Sequence, residues 1–350
     1  MSHFELSFKQ IDLPLRHTFT ISRGSRNFAK NVIIKLKAED IEGWGEAAPN
    51  HRYNETPESV INFLQKLELS RISNPYDIQA ILDYLNKIEP GEFAAKAGLE
   101  MAFQDWIGKK MNLPLYKLWN APSNTGPQSS VTIGISEMEM IEGKIREFEQ
   151  YPIYKIKLGT DYDREIINKI RSVTDKQLWV DANEGWKSFD QAKGMIEFLK
   201  DKNIGMIEQP MPASKIDDIS ELRTISKIPF MADEGFTGKE KLDDIAAAYD
   251  GINIKLMKVG SMRKALQLIG QARKYGLKIM IGCMLESGMA NTAAAILSLW
   301  ADYADIDGPM LLADNPFEGF KLDENYRVKV NDMPGLGVKM VSTSLLSQEV

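Results

Sequence analysis

IYKIKL (153–158), LWVDAN (178–183), MIEQP (206–210), FMADE (230–234) and INIKLM (252–257) are the runs that decide how this chain folds. Each is a short apolar stretch, and the segments between them carry apolar residues at three- and four-residue spacing. VTIGI (131–135), IMIGCML (279–285) and the shorter YADID (303–307) extend the pattern on either side. Strand patterns alternating with helical ones imply a parallel sheet with crossover helices. Successive runs start about 22 to 28 residues apart, enough for one strand, one helix and two short loops. Eight such units close a (β/α) barrel; because a typical one takes about 250 residues, some outer helices here must be short or missing.

Outside these runs the grammar differs. FELSFKQIDL, HTFTISR and NVIIKLKAEDIEGWGEA read as strands, the last folding back around residues 39–43 as a hairpin. Residues 57–69, 75–88 and 92–111 follow with helical periodicity, Thr56 and Pro57 supplying a cap and a first helical residue. This first third is therefore an α+β unit. From about Asn315 the chain carries Pro316, Gly319, Pro334, Gly335 and Gly337 without helical period, so it should return to pack on the first unit. The expected division is 1–122, 123–314 for the barrel, and 315–350.

Composition narrows the function. The 43 basic and 49 acidic residues leave a net charge of -6, which offers no field for nucleic acid. The lone Cys283 excludes an intrachain disulfide or a cysteine-rich metal site and fits a reducing compartment. The amino terminus has no signal-peptide pattern, and no apolar stretch approaches the roughly 20 residues of a membrane span, so a cytoplasmic location is expected.

Charged residues stand where strand runs end: Lys155 and Lys157, Asp181, Glu208, Asp233 and Lys255. One such residue is commonly a cap or loop side chain, but a repeat over five consecutive runs is the placement of barrel catalytic groups. Neighbouring strands of an eightfold barrel lie about 45° apart, so Asp181, Glu208 and Asp233 can converge. Three bare carboxylates repel unless a cation lies between them, and oxygen donors favour Mg²⁺ first and Mn²⁺ second. Lys157 and Lys255, four strands apart, should face each other across the mouth. One amine could then remove a carbon-bound proton and the other return one to the opposite face, inverting that carbon through a cation-stabilised enediolate. A nearby cation and Lys155 are both expected to lower the pKa of the base.

The ordered set Lys155-Ile156-Lys157, VDAN, IEQP, ADEG and NIKLMK resembles the muconate-lactonizing subgroup of the enolase superfamily, and EMAFQDWIGKKMNLPLYKLW (100–119) resembles that family's link from capping domain to barrel. The resemblance covers nearly the whole chain and implies a modified TIM (β/α)8 barrel beneath an α+β capping domain. Within the subgroup, Asp305-Ile306-Asp307 resembles the pair with which dipeptide epimerases hold a substrate ammonium. It implies two-base epimerisation at the C-terminal residue of a dipeptide, with Thr132, Lys155 and Cys283 as further substrate contacts. An o-succinylbenzoate synthase, a muconate cycloisomerase and a catalytically idle binding barrel are the competing readings. Loops at residues 22–26 and 51–54 are the analogues of loops that read the substrate side chain; Arg23 and Arg26 suit an acidic one, while residues 19–28 also suit an apolar one. Relatives commonly assemble, so a homo-oligomer of unfixed number is admitted. Ser261 departs from the family, which often has a second glycine after Gly260.

Overall fold

The structure, a computed structural model, describes residues 4–342. Three antiparallel strands come first, β1 (Glu5–Ile21), β2 (Gly24–Ala38) and β3 (Ile41–Ala47), in the order β1-β2-β3. The two strand patterns expected before residue 24 are one long strand, irregular in register between Pro14 and Phe19. The expected hairpin is a two-residue turn at Glu39 and Asp40, both at positive φ. Three helices follow: α1 (Pro57–Gln65), α2 (Ile78–Ile88) and α3 (Phe93–Lys110). Thr56 and Ser59 close a reciprocal cap at the start of α1, and Asp77 accepts from the Ala80 amide at the start of α2.

Helix α3 fastens the molecule together. Fifteen of its 18 residues are buried, and it crosses β3 at Gly43 and Gly45, where an added Cβ would meet Ala102 O at 2.1 Å and Gly98 O at 1.9 Å. On its other sides Glu100 accepts from the Met262 and Arg263 amides of the barrel. Asp105 accepts from the Trp44 and Leu336 amides. Near the end of the described residues, Leu115 N is bonded to Gly335 O and Gly335 N to Leu113 O. The last eight residues of the C-terminal segment lie outside the described residues.

A one-turn helix α4 (Leu115–Leu118) and strand β4 (Thr125–Gln128) lead into the barrel. Its parallel strands are β5 (Val131–Ile133), β6 (Ile153–Lys157), β7 (Gln177–Asp181), β8 (Ile204–Glu208), β9 (Phe230–Ala232), β10 (Gly251–Lys255), β11 (Lys278–Gly282) and β12 (Tyr303–Asp305), neighbours in sequence order. Ser130 N donates to Ala304 O across the seam between the first and last. The intervening helices are α5 (Met138–Glu147), α6 (Asp163–Arg171), α7 (Phe189–Leu199), α8 (Ile216–Ile225), α9 (Leu242–Ala248), the one-turn α10 (Leu256–Val259), α11 (Met262–Lys274) and α12 (Gly288–Ser298). The eighth unit keeps only the four-residue α13 (Gly308–Leu311), the shortening that the chain length demanded. No helix among the described residues is long and apolar enough to cross a membrane.

Strand alternation places the chemistry. Inside the barrel, Ile153, Trp179, Met206, Met231, Met280 and the partly buried Tyr303 form an apolar plug. Two residues further along stand Lys155, Asp181, Glu208 and Asp305 on their strands and Asp233 just past the end of β9, on the same side as the plug and one layer nearer the strands' carboxyl ends. The intervening residues, among them Ile156, Val180, Ile207, Ala232 and Ile254, belong to the main core under the helices.

Candidate active site

The mouth of the barrel opens into a cavity of about 730 Å³. Eight of the ten residues singled out from sequence line it: Thr132, Lys155, Lys157, Asp233, Lys255, Cys283, Asp305 and Asp307. The other two, Asp181 and Glu208, are bonded to Lys155. Over the cavity lie the tip of the β1–β2 hairpin and the turn at His51–Tyr53.

Asp181, Glu208 and Asp233 are all buried and offer one oxygen each within 4.8 Å of one another. Lysines flank this trio. Lys157 Nζ lies 2.6 Å from Asp181 Oδ2, and Lys255 Nζ lies 2.8 Å from Asp233 Oδ2. The two ammonium groups are thus attached to the first and third carboxylates, from strands on opposite sides of the barrel. Lys155, 1% exposed, occupies the centre: its Nζ is 2.6 Å from Asp305 Oδ2, 2.7 Å from Glu208 Oε2 and 3.2 Å from Asp181 Oδ2.

Burial and charge set the protonation pattern. Burial alone would raise Asp233, yet Lys255 and Lys258 hold its carboxyl well below the usual carboxylate range. Asp181 is lowered to about 2 because Lys157 and Lys155 outweigh its burial. Glu208 goes the other way, pushed up to about 8 by burial and by Asp181. The trio therefore keeps a proton near neutral pH unless further positive charge arrives. Three buried oxygen donors within 4.8 Å of one another, with no histidine or cysteine in the set, fit a hard divalent cation. The lowered lysine pKa expected from sequence is not what the protein alone provides: burial would depress Lys255, but Asp233 reverses this and raises it.

Asp305 and Asp307 both reach the cavity, though the strand ends at Asp305 and Asp307 stands in the following turn. Asp305 accepts from Ser130 Oγ at 2.8 Å, and Asp307 from the Thr132 amide at 2.5 Å. Burial and then Asp305 push Asp307 up to about 6. Cys283 is raised well above its ordinary value by burial and nearby carboxylates, which makes it a poor nucleophile.

Several neighbours were not singled out from sequence. Lys258 Nζ is bonded to Asp233 Oδ1 at 2.6 Å and to the Asp233 and Asn253 carbonyls. Asn253 Nδ2 donates to Glu208 Oε1 at 2.8 Å; standing two residues before Lys255, it shares the inward face, and strand alternation could have found it. Glu234, next to Asp233, is held by Arg23 Nη2 at 2.7 Å and leaves Oε2 without a partner. Ser261, in place of the usual second glycine, caps α11 by accepting from the Lys264 amide, while Gly260 alone carries the positive φ of 79°.

With this geometry in hand, similarity to known proteins becomes informative. Residues 6–119 match the family described as mandelate racemase / muconate lactonizing enzyme, N-terminal domain, and residues 141–344 the enolase C-terminal domain-like family. An L-Ala-D/L-Glu epimerase of Bacteroides thetaiotaomicron is 40% identical over 96% of this chain and 88% of its own. A hydrophobic dipeptide epimerase of Flavobacteria bacterium is 36% identical over 91% of this chain and 93% of its own. Among solved structures, the dipeptide epimerase of Cytophaga hutchinsonii, complexed with Mg and the dipeptide D-Ala-L-Val, superposes with a TM-score of 0.91 at 26% identity, covering 100% of this chain and 98% of that one. The chain belongs to the mandelate racemase / muconate lactonizing enzyme family of the enolase superfamily.

Proposed function

We propose that this protein is a divalent-cation-dependent dipeptide epimerase that inverts the α-carbon of the C-terminal residue. Asp181, Glu208 and Asp233 would hold Mg²⁺, with Mn²⁺ the second choice. When bound, the cation supplies positive charge that stabilises the negative charge developing on the substrate carboxylate as the α-proton leaves. Everything else falls to the chain's own side chains. Lys157 and Lys255, attached to the two outer carboxylates of the trio, exchange the α-proton from opposite faces. Asp305 and Asp307 supply two carboxylates for the substrate ammonium, a role that an amine-free acid would leave idle. Lys155 bridges this pair to the trio, and Thr132 and Cys283 complete the wall.

The lysine arrangement carries this reading. Its test is to incubate mixed dipeptides with the protein and MgCl₂ in D₂O and follow the α-hydrogen by NMR: exchange with inversion is expected, and no exchange across a broad library refutes it. For the substrate side chain, the choice between Arg23 and Arg26 falls on Arg26. Arg23 and Arg52 are paired with Glu234 and Glu184, while Arg26 lines the cavity with no ion-pair partner among the described residues. An acidic C-terminal residue is therefore the favoured substrate, consistent with the relative that acts on L-Ala-D/L-Glu. Arg26→Gln should remove a preference for L-Ala-L-Glu over L-Ala-L-Leu in kcat/KM; equal rates on both in the unaltered protein would contradict this choice.

A further inference from the structure

Two separate segments cover the cavity, and both end on the same side chain. Arg52, in the turn at His51–Tyr53, gives Glu184 two parallel bonds, Nε to Oε2 at 3.1 Å and Nη2 to Oε1 at 3.0 Å. Arg23, at the hairpin tip, pairs with Glu234 through Nη2 at 2.7 Å and also brings Nη1 within 3.6 Å of Glu184 Oε2. It also donates to the adjoining Asn183 carbonyl at 2.9 Å, as Ser22 Oγ does at 3.1 Å. From below, the Ala213 amide donates to Glu184 Oε1 at 2.9 Å. The carboxylate is largely shielded, with its side chain 11% exposed, whereas the arginines are 34% and 38% exposed.

The backbone argues the same way. Asn183 and Glu184 both sit at positive φ, 45° and 65°, a conformation that side chains other than glycine adopt only when surrounding contacts enforce it. The clasp shares this task with local bonds, Asn183 N to Asp181 Oδ1, Glu184 N to Gln209 O and Lys187 Nζ to Glu184 O, and with Gly185, packed so tightly on Gly159 that a Cβ would fall 2.2 Å from its Cα. Paired arginine and carboxylate groups with two parallel bonds fix orientation as well as distance. Arg52 has no other ion-pair partner among the described residues, so the position of its turn depends on this one acid.

We infer that Glu184 is the closure residue of the site: a positioning residue, three places beyond Asp181, that holds both covering segments down over the bound substrate. It touches neither the reacting carbon nor the carboxylate trio; it acts through Arg52 and Arg23. The arginines also make the closed state measurable, since Arg23, Arg26 and Arg52 are themselves trypsin sites within the two covers.

The test uses Glu184→Gln, Glu184→Gly, which relieves the positive φ while removing the clasp, and Arg52→Met, which removes the partner from the other side. Tryptic cleavage after Arg23, Arg26 or Arg52, followed by mass spectrometry and referenced to cleavage after the distant Arg71, should accelerate about tenfold or more in the two Glu184 variants, and in Arg52→Met, which lacks its own trypsin site, chymotryptic cleavage after Tyr53 should accelerate likewise. The dipeptide KM should rise by about tenfold with a smaller change in kcat, because substrate is lost from an opened site while the lysines stay in place. Combining Glu184→Gln with Arg52→Met should add little to either single change. Unchanged cleavage rates in Glu184→Gln and Arg52→Met overturn the inference, and so does faster cleavage with an unaltered KM. The kinetic half rests on the epimerase reading and the proteolytic half does not: faster cleavage in a protein that turns over no dipeptide would refute the activity and leave the clasp standing.

Discussion

Replacing Lys155 by methionine keeps the volume of the side chain and removes the ammonium at the centre of the site. In the protein without a cation, that ammonium is bonded to Asp305 and Glu208 and lies 3.2 Å from Asp181, with 1% exposure. Removing one partner of a buried ion pair costs about 3–5 kcal/mol, because the remaining charges stay desolvated. An unfolding entropy of about 2.1 cal/mol/K per residue over 350 residues converts this to a fall in Tm of about 4–7 °C. A divalent cation on the trio supplies positive charge close to where Lys155 did, so the deficit should be largest in chelator and shrink in saturating MgCl₂. Thermal unfolding by circular dichroism in the two buffers reads both effects. Lys117→Met, which removes an exposed partner of Asp332 and of the Tyr116 ring, serves as control and should move Tm by less than about 1.5 °C. If Lys155→Met melts like the unaltered protein in chelator, or if its deficit is the same with and without Mg²⁺, the charge accounting of the site is wrong.

Two further outcomes concern the joints of the fold. Glu46, fully buried, accepts from Asn31 Nδ2, Ser287 N, Ser287 Oγ and Ala290 N; Glu46→Gln turns one acceptor oxygen into a donor facing donors and should cost about 3 kcal/mol or more in urea unfolding, and a loss below about 1 kcal/mol would contradict that network. Burial raises Glu55 from 4.5 to about 7 despite the Phe93 and Ala94 amides that favour its charged form. The folded state then binds more protons than the unfolded one, so this group stabilises fully below pH 4.5 and its contribution is lost as pH rises through 7. Urea unfolding at about pH 5 and about pH 7.5 should show the decline, and Glu55→Gln should flatten it; an equal decline in the variant would contradict the assignment.

How much of this was legible beforehand depends on range. Each of the eight barrel strands overlaps the apolar run that announced it, beginning at most two residues before it, because strand periodicity and loop length are local properties. Placing Asp181, Glu208 and Asp233 near one point needed only strand order and the angular spacing of the barrel strands. The long β1 was read as two strands because Pro14 and the register shift before Phe19 interrupt the pattern, while pairing with β2 continues past them. The Arg52–Glu184 clasp was out of reach, since it joins residues 132 positions apart through loops without periodicity. Lys258 lies in the one-turn α10 directly after Lys255, where neither strand nor helix spacing points it at Asp233. For Lys255, Lys155 acts in the expected lowering direction, while the opposing Asp233 carboxylate is a contact that only the folded chain reveals.

The central claim is that two amines serve opposite faces of one carbon, and single-lysine variants test it most directly. Lys157→Ala and Lys255→Ala are each given the L- and the D-epimer of a turned-over dipeptide in D₂O with MgCl₂, and the α-hydrogen of each epimer is followed by NMR. Each variant should exchange the α-hydrogen of one epimer only, the opposite one in the two variants, with epimerisation abolished in both. Exchange of the same epimer in both variants, or inversion persisting in either, would contradict the account.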